Sequence, residues 1–368
     1  MKVLLVLLAV SFLWPQSMDA YVTNENSIVK GRVLEVVPGE SIVGSFGEME
    51  VHNVTVRLLE KPYQDQVVMI SNLITDQPYY DLVVESGDRV LIQVEVTEGL
   101  VDYHLVDFAR EQSLMKLSFF FVLTLIVIGG IKGLKALLSI MMMGLVIFYV
   151  LLPLVLNGYN PIVVTVSICS FLTVLLLLFI GGVNRKTLAA MGGTVGGLVV
   201  AGVLSLWAGQ ASYLTGLSSS EAQMLQFMEG SIDFRGLLLS GIIIGALGAI
   251  LDVGMSVSSS MEQVWEANPR ISCQELMKRG LRVGRDVLGT MSNTLILAYL
   301  GTSMPLLLLF QTNDVTWQKA INLDLMATEV VRAMAGSIGL AFAVPITVVF
   351  AGVLLQRVKQ DQSRVVDD

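Results

Sequence analysis

The sequence is poor in charge, cysteine and histidine. Asp, Glu, Lys and Arg make up 15% of it, where a soluble domain carries roughly 25%. Hydrophobic residues reach 54% and the mean hydropathy is +0.71, which describes long uncharged runs. Only two cysteines are present: Cys169 falls in an apolar run and Cys273 in a polar stretch, which argues against a disulfide framework. The two histidines, His52 and His104, lie far apart in strand-like patterns and make at most an incomplete metal site. No C-x-x-C, H-E-x-x-H or G-x-x-x-x-G-K-[ST] pattern occurs, which argues against a zinc hydrolase or a P-loop ATPase. No metal, no cofactor and no catalytic set is expected. The net charge is -8, with the acidic excess in Ser27 to Phe108, and this speaks against a nucleic-acid partner.

What is present begins with a targeting pattern. Lys2 precedes an apolar stretch, Val3 to Trp14, that is short for a membrane span, and Pro15 ends it. Residues 1–20 read either as a signal peptide cleaved near Met18-Asp19-Ala20 or as a retained N-terminal anchor. Either reading places Tyr21 and the residues after it outside the cytoplasm.

Residues 21–110 read as an extracytoplasmic β-rich domain. Val29 to Val37, Val51 to Leu59, Val67 to Ile74, Arg89 to Val96 and Val101 to Phe108 have strand character. Pro38-Gly39, Gly44 to Gly47, Pro62 and Ser86-Gly87-Asp88 supply the turns. Several short strands at this spacing suggest a small all-β fold, an OB-like barrel or a sandwich.

Residues 111–356 read as a membrane all-α bundle of about seven transmembrane helices, and residues 357–368 as a cytoplasmic tail. The apolar runs are Leu117 to Ile131, Ala136 to Leu156, Ile162 to Val183, Leu188 to Ala208, Leu237 to Ser260, Val287 to Phe310 and Val330 to Leu355. Lys132, Lys135, Arg185, Lys186, Arg270, Lys278, Arg279, Arg282, Arg285, Arg357 and Lys359 fall in alternate connections, whereas the others hold only Arg235 and Lys319. By the positive-inside rule the β-domain is outside and the C-terminus cytoplasmic.

Polar and small residues inside these runs mark the candidate sites. Gly192, Gly193, Gly196 and Gly197 in the fourth run, and Gly245 and Gly248 in the fifth, permit close helix packing or a sliding interface. Asp252 lies about 23 Å along the fifth run at 1.5 Å per residue. An intramembrane carboxylate is costly, and it is normally buried with a partner or lines a polar path. Gly245, Gly248, Asp252, Ser256 and Ser259 share one helical face. In the sixth run Asp286, Gly289 or Thr290, Asn293 and Leu297 form the matching stripe, and Asn293 reaches a depth comparable to Asp252.

These residues predict a polar seam between the fifth and sixth runs, joined by the fourth or seventh. A carboxyl able to be neutral or charged is a proton carrier, and with Asn293, Ser256 or Ser259 it could hold a cation. The competing reading is that Asp252 bonds to the sixth run and locks the bundle. Glu329 and Arg332 are spaced to pair at the membrane boundary, and Gly336, Gly339 and Ala343 form a small-residue stripe beyond them. Glu262 stands near Asn268-Pro269, after which Ser272 to Arg285 reads as an amphipathic helix on the inner surface or a docking site.

The segment Gly245-Ala246-Leu247-Gly248-Ala249-Ile250-Leu251-Asp252-Val253-Gly254-Met255-Ser256-Val257 is followed by Glu262, Asn268-Pro269 and Gly284-Arg285-Asp286-Val287-Leu288-Gly289-Thr290-Met291-Ser292-Asn293-Thr294-Leu295. Together they resemble the bacterial YibE/F family of membrane proteins. The resemblance implies an exported N-terminal domain and then a helix bundle, and it brings no reaction with it. More distantly, Val253 to Val257 and Ser292-Asn293-Thr294-Leu295 are similar to the central helices of SecD/SecF proteins of the resistance-nodulation-division superfamily, whose members use proton flow to drive export. Ser258-Ser259-Ser260 stands where that motif has an acidic-Ala-Asn step.

The expected function is therefore a proton- or ion-coupled secondary transporter or export factor, not an enzyme. The alternative is a non-transporting scaffold or sensor whose exported domain binds a ligand or partner. The expected partners are the lipid bilayer, a small substrate or ion, and a second copy or another membrane protein.

Overall fold

In the computed structural model the residues described are 26–44, 47–75, 77, 81–97, 100–230, 232–312 and 316–367. The expected signal or anchor, residues 1–20, lies outside them. The chain divides into two compact units, Met1–Leu123 and Thr124–Asp368.

The first unit holds five strands: β1 (Asn26–Gly44), β2 (Gly47–Leu58), β3 (Val67–Ile74), β4 (Arg89–Thr97) and β5 (Leu100–Phe108). All five expected strands are present, and β1 is longer than expected. It pairs with β2 from Gly31 onward and with β4 up to Arg32, all antiparallel. The order is β3-β2-β1-β4-β5, and the edge strands β3 and β5 approach one another, so the sheet curls into a nearly closed barrel.

The period-two pattern explains what fills the barrel. Val54, Val56 and Leu58 of β2 and Val90, Ile92 and Val94 of β4 are fully buried. Gly31 sits where a Cβ would lie 2.5 Å from both Ile92 Cδ1 and Val56 Cγ1, so the crowded interior requires glycine there. Lys30 Nζ binds Glu60 at 3.0 Å and Glu111, at the start of the first helix, at 2.9 Å. These two carboxylates, Glu111 first, hold the ammonium above the ordinary lysine value of 10.5.

Helix α1 (Glu111–Val146) is broken at Gly130, whose φ of 55° and ψ of -131° are not helical. It continues through a π-helical turn, Ile147–Leu151, into Leu152–Leu156. The first two expected runs lie to either side of this break. Beyond it come α2 (Pro161–Gly181), α3 (Arg185–Ala211), α4 (Ser220–Met228), α5 (Phe234–Ala267), α6 (Cys273–Thr302), α7 (Met304–Thr312), α8 (Trp317–Ile321) and α9 (Asp324–Asp367).

The helix starts obey capping chemistry. Asn160, Asn184, Ser219, Asp233 and Ser272 each accept a hydrogen bond from a backbone N–H in the first turn of α2, α3, α4, α5 and α6.

Among the described residues, five helices are long and apolar enough to cross a membrane, or six if the bent pair α6 and α7 forms one span. Glu111–Leu156 counts once among these, although the break at Gly130 divides it between the two expected runs, Leu117 to Ile131 and Ala136 to Leu156. One further difference concerns a boundary. The stretch Ser272 to Arg285 is not a separate helix but the first half of α6. Helix α9 runs on through the residues read as the tail, to Asp367.

Helices α3, α5 and α9 form the centre of the second unit. Gly197 is where all three meet: a Cβ there would lie 2.8 Å from the Gly339 carbonyl oxygen and 2.9 Å from Ile250 Cγ2. Gly192, Gly193 and Gly196 face Phe350, Thr347 and Ile346 of α9 in the same way. Small residues bring these backbones together in a solvent that supplies no hydrophobic drive.

Candidate functional site

The site is built on the side of α5 turned away from this centre. Ile242, Ile243, Ala246, Leu247, Ile250, Val253 and Val257 are buried, so the helix presents the opposite stripe outward. That stripe consists of Gly241, Gly245, Gly248, Asp252 and Ser256, with Ser259 half-buried below it. A Cβ on Gly241 or Gly248 would meet nothing within 4 Å. Gly245 is overhung by Tyr299 of α6, whose hydroxyl would lie 2.8 Å from a Cβ there.

Asp252 makes no hydrogen bond or ion pair with the described residues. It is an exposed carboxyl near the middle of a helix whose mean hydropathy over its most apolar window is 2.2.

Helix α6 flanks the stripe. Met261 lies against Gly280, and Tyr299 reaches Gly245, so α5 and α6 run antiparallel. Interpolating at 1.5 Å per residue places Asp252 level with about Gly289 to Ser292 of α6. The exposed residues of α6 near that level are Gly289, Thr290 and Asn293, with Asp286 about a turn further toward its start. Thr290 donates back to the Val287 carbonyl at 2.9 Å, and Thr294 to the Thr290 carbonyl at 3.0 Å. Asn293 keeps its amide free of any bond to the described residues. The residues of the expected seam thus lie on the outside of a single chain rather than enclosed within it.

The remaining candidates lie elsewhere. Glu262 is not joined to Asp252; its Oε2 pairs with Lys186 Nζ, at the start of α3, at 2.8 Å. Beside this pair is a cavity of about 450 Å³ lined by Asn184, Arg185, Leu188, Trp265, Glu266 and Leu355. Arg332 Nη1 donates to Glu329 Oε1 at 2.7 Å, and its guanidinium lies 6.0 Å from the Tyr299 ring centre. This group borders a cavity of about 540 Å³ at the bend between α6 and α7, lined also by Thr302, Ser303, Pro305 and Leu306. His52 and His104 stand beside Glu50 and Glu95, on β2 and β5.

Sequence reasoning missed Tyr299, Lys186 and a set of buried hydroxyls. Thr194, Ser205, Ser240, Ser337 and Thr347 each bury a hydroxyl oxygen with no hydrogen-bond partner among the described residues. Their signal, a single Ser or Thr in an apolar run, is weak because such residues are also common as small packing elements.

An antiparallel barrel ahead of a set of apolar helices, with glycine-mediated contacts, defines a multi-pass membrane protein. The profile of the YibE/F-like protein family matches residues 117–357, which is more than half of the chain. The chain belongs to the YibE/F-like family. No curated protein and no solved structure matches it.

Proposed function

We propose that the protein is a secondary transporter or export factor of the bacterial plasma membrane, driven by protons or another cation, and that it is not an enzyme. The observation that carries this reading is the unpartnered Asp252 carboxyl at mid-span. Ser256 lies beside it on α5, and Thr290 and Asn293 stand near the same level on α6. An ionisable group at that depth is costly unless its environment makes use of it. A change in its charge would favour one of two arrangements of α5 against α6, and the substrate-bearing state would shift with that balance. The open faces at Gly241 and Gly248 leave room for such a shift. In this reading the barrel is an OB-like exported domain and the C-terminus is cytoplasmic, as the Lys and Arg distribution indicates.

The test is proton movement by the purified full-length protein in liposomes holding a pH-sensitive dye. An imposed pH gradient should collapse faster with wild-type protein than in empty liposomes. Asp252→Asn should remove that acceleration, and Asp252→Glu should keep part of it. Dicyclohexylcarbodiimide, which modifies protonated carboxyls within membranes, should label Asp252 and block the same activity. Unchanged gradient collapse with Asp252→Asn rejects the mechanism.

One observation favours the scaffold alternative. Val67, Met69 and Leu73 leave an apolar row exposed on edge strand β3, at 54%, 70% and 48%, which suits a ligand or partner of the exported domain. Robust flux by the purified protein alone would count against that reading.

A further inference from the structure

We infer that the stripe on α5 is the contact surface for a second copy of this chain, arranged parallel to the first about a two-fold axis along the membrane normal. Three observations lead to this. Asp252, Ser256 and Asn293 are exposed in the single chain, the first two on α5, which is long and apolar enough to cross a membrane, and the third on α6, which is so together with α7. Acyl chains offer such groups no hydrogen bonds, so the surface must meet something polar at that depth. Gly241 and Gly248 face open space on the same stripe, and they let another helix come close enough for those bonds to form.

The chemistry of the surface selects a second copy as occupant. A two-fold axis along the normal keeps every residue at its own depth, so the polar belt of one protomer meets the polar belt of the other without any adjustment. The belt is complementary to itself. The Asn293 amide and the Ser256 hydroxyl donate, and the Asp252 carboxylate accepts. An unrelated helix would need an independent polar group at the same level. The cations of α6, Lys278, Arg279, Arg282 and Arg285, lie toward its start, on the other side of Asp286 from this level, so the belt is completed by hydrogen bonds rather than by a salt bridge within the chain. This inference stands whether or not Asp252 moves protons.

The experiment is disulfide crosslinking of the full chain in native membranes. Cys273→Ser serves as background, since Cys169 is buried. Gly248→Cys and Ser256→Cys should give a band at twice the 40.0 kDa protomer mass on mild oxidation. Val203→Cys, on the exposed side of α3, should not. Monomer only at both stripe positions overturns the inference, as does a crosslink to a protein of another mass or equal dimer from Val203→Cys.

A second readout mixes two differently tagged copies. Gly248→Trp should lower their co-purification at least tenfold, and undiminished co-purification counts against the interface. Asp252→Asn retains hydrogen bonding at the same depth, so it should stop gradient collapse while leaving the Gly248→Cys crosslink intact. Loss of one result without the other tells the two proposals apart.

Discussion

Lys186 Nζ, in the first turn of α3, lies 2.8 Å from Glu262 Oε2, near the end of α5. The two helices are also locked at Gly254, where a Cβ would lie 2.8 Å from Thr194 Oγ1. The ion pair therefore closes one end of an interface that small residues hold together further in.

Breaking that pair from one side should cost more than removing it whole. Glu262→Gln leaves the Lys186 charge partly buried and without its carboxylate. The expected loss is about 1–3 kcal/mol, below that of a fully buried pair. Thermal unfolding in detergent, monitored through Trp265 beside the pair, measures it. The double variant Lys186→Met with Glu262→Leu should recover most of the loss.

The glycines divide into two groups by what surrounds them. Gly197→Leu forces a side chain against the Gly339 carbonyl and Ile250, and overpacking of this kind costs roughly 1–3 kcal/mol or more. Gly289 has nothing within 4 Å of its Cβ direction. Gly289→Ala should be neutral or slightly stabilising, because alanine is the better helix former. Yield of folded protein and melting temperature, compared for the two variants, distinguish these outcomes.

Alkaline pH should loosen the start of α1 from the barrel. Lys30 is held above its ordinary value of 10.5, chiefly by its bond to Glu111 and then by that to Glu60. A raised value in the folded state means that the contribution is complete below about pH 10.5 and disappears as pH climbs through the folded value. Wild-type protein should therefore lose stability in that window more steeply than Lys30→Met. Lys30→Arg should hold to higher pH, since its charge persists. Melting temperature against pH for the three proteins is the measurement.

The Glu329–Arg332 pair should also be asymmetric. One Glu329 oxygen is bonded to Arg332, and the other is buried with no partner among the described residues. Arg332→Met strands this carboxylate and takes a cation from above Tyr299, at an expected cost of about 3 kcal/mol. Glu329→Gln in the same background should restore much of it. Chemical denaturation in mixed micelles reports both.

The barrel was well marked in the sequence because alternation at Val54, Val56 and Leu58 has only one buried side to serve. The helix starts were less so: the apolar runs begin at Leu188 and Leu237, past the caps Asn184 and Asp233, and only Ser272 stands at the head of a stretch read as helical. Hydropathy was less informative about boundaries. A run of apolar residues looks alike whether the chain continues or folds back, and here it was Lys132 and Lys135 that marked an end to the first run at Ile131, one residue from the break at Gly130. The polar face of α6 concealed the opposite error, for Ser272 to Arg285 carries enough charge to pass for a separate surface helix. The polar and small residues of the candidate site were legible one by one along each helix, as was their spacing on a common face of α5. Which side of α5 faces the neighbours was not, because that depends on how Gly197, Gly339 and Ile250 seat three helices together.

Helix α6 is one rod of 30 residues, about 45 Å long. One end carries exposed Lys278, Arg279 and Arg282, and the other carries Tyr299 beside Arg332. A rigid rod does not bend to hide a movement at either end. Any tilt imposed where the cations meet their surroundings is delivered, through Gly280 and Gly284 as the points of bearing on Met261 and Val344, to the aromatic ring and charged pair at the far side. Thr290 and Asn293 sit on the same rod, so a tilt of its basic end would also change their position relative to Asp252.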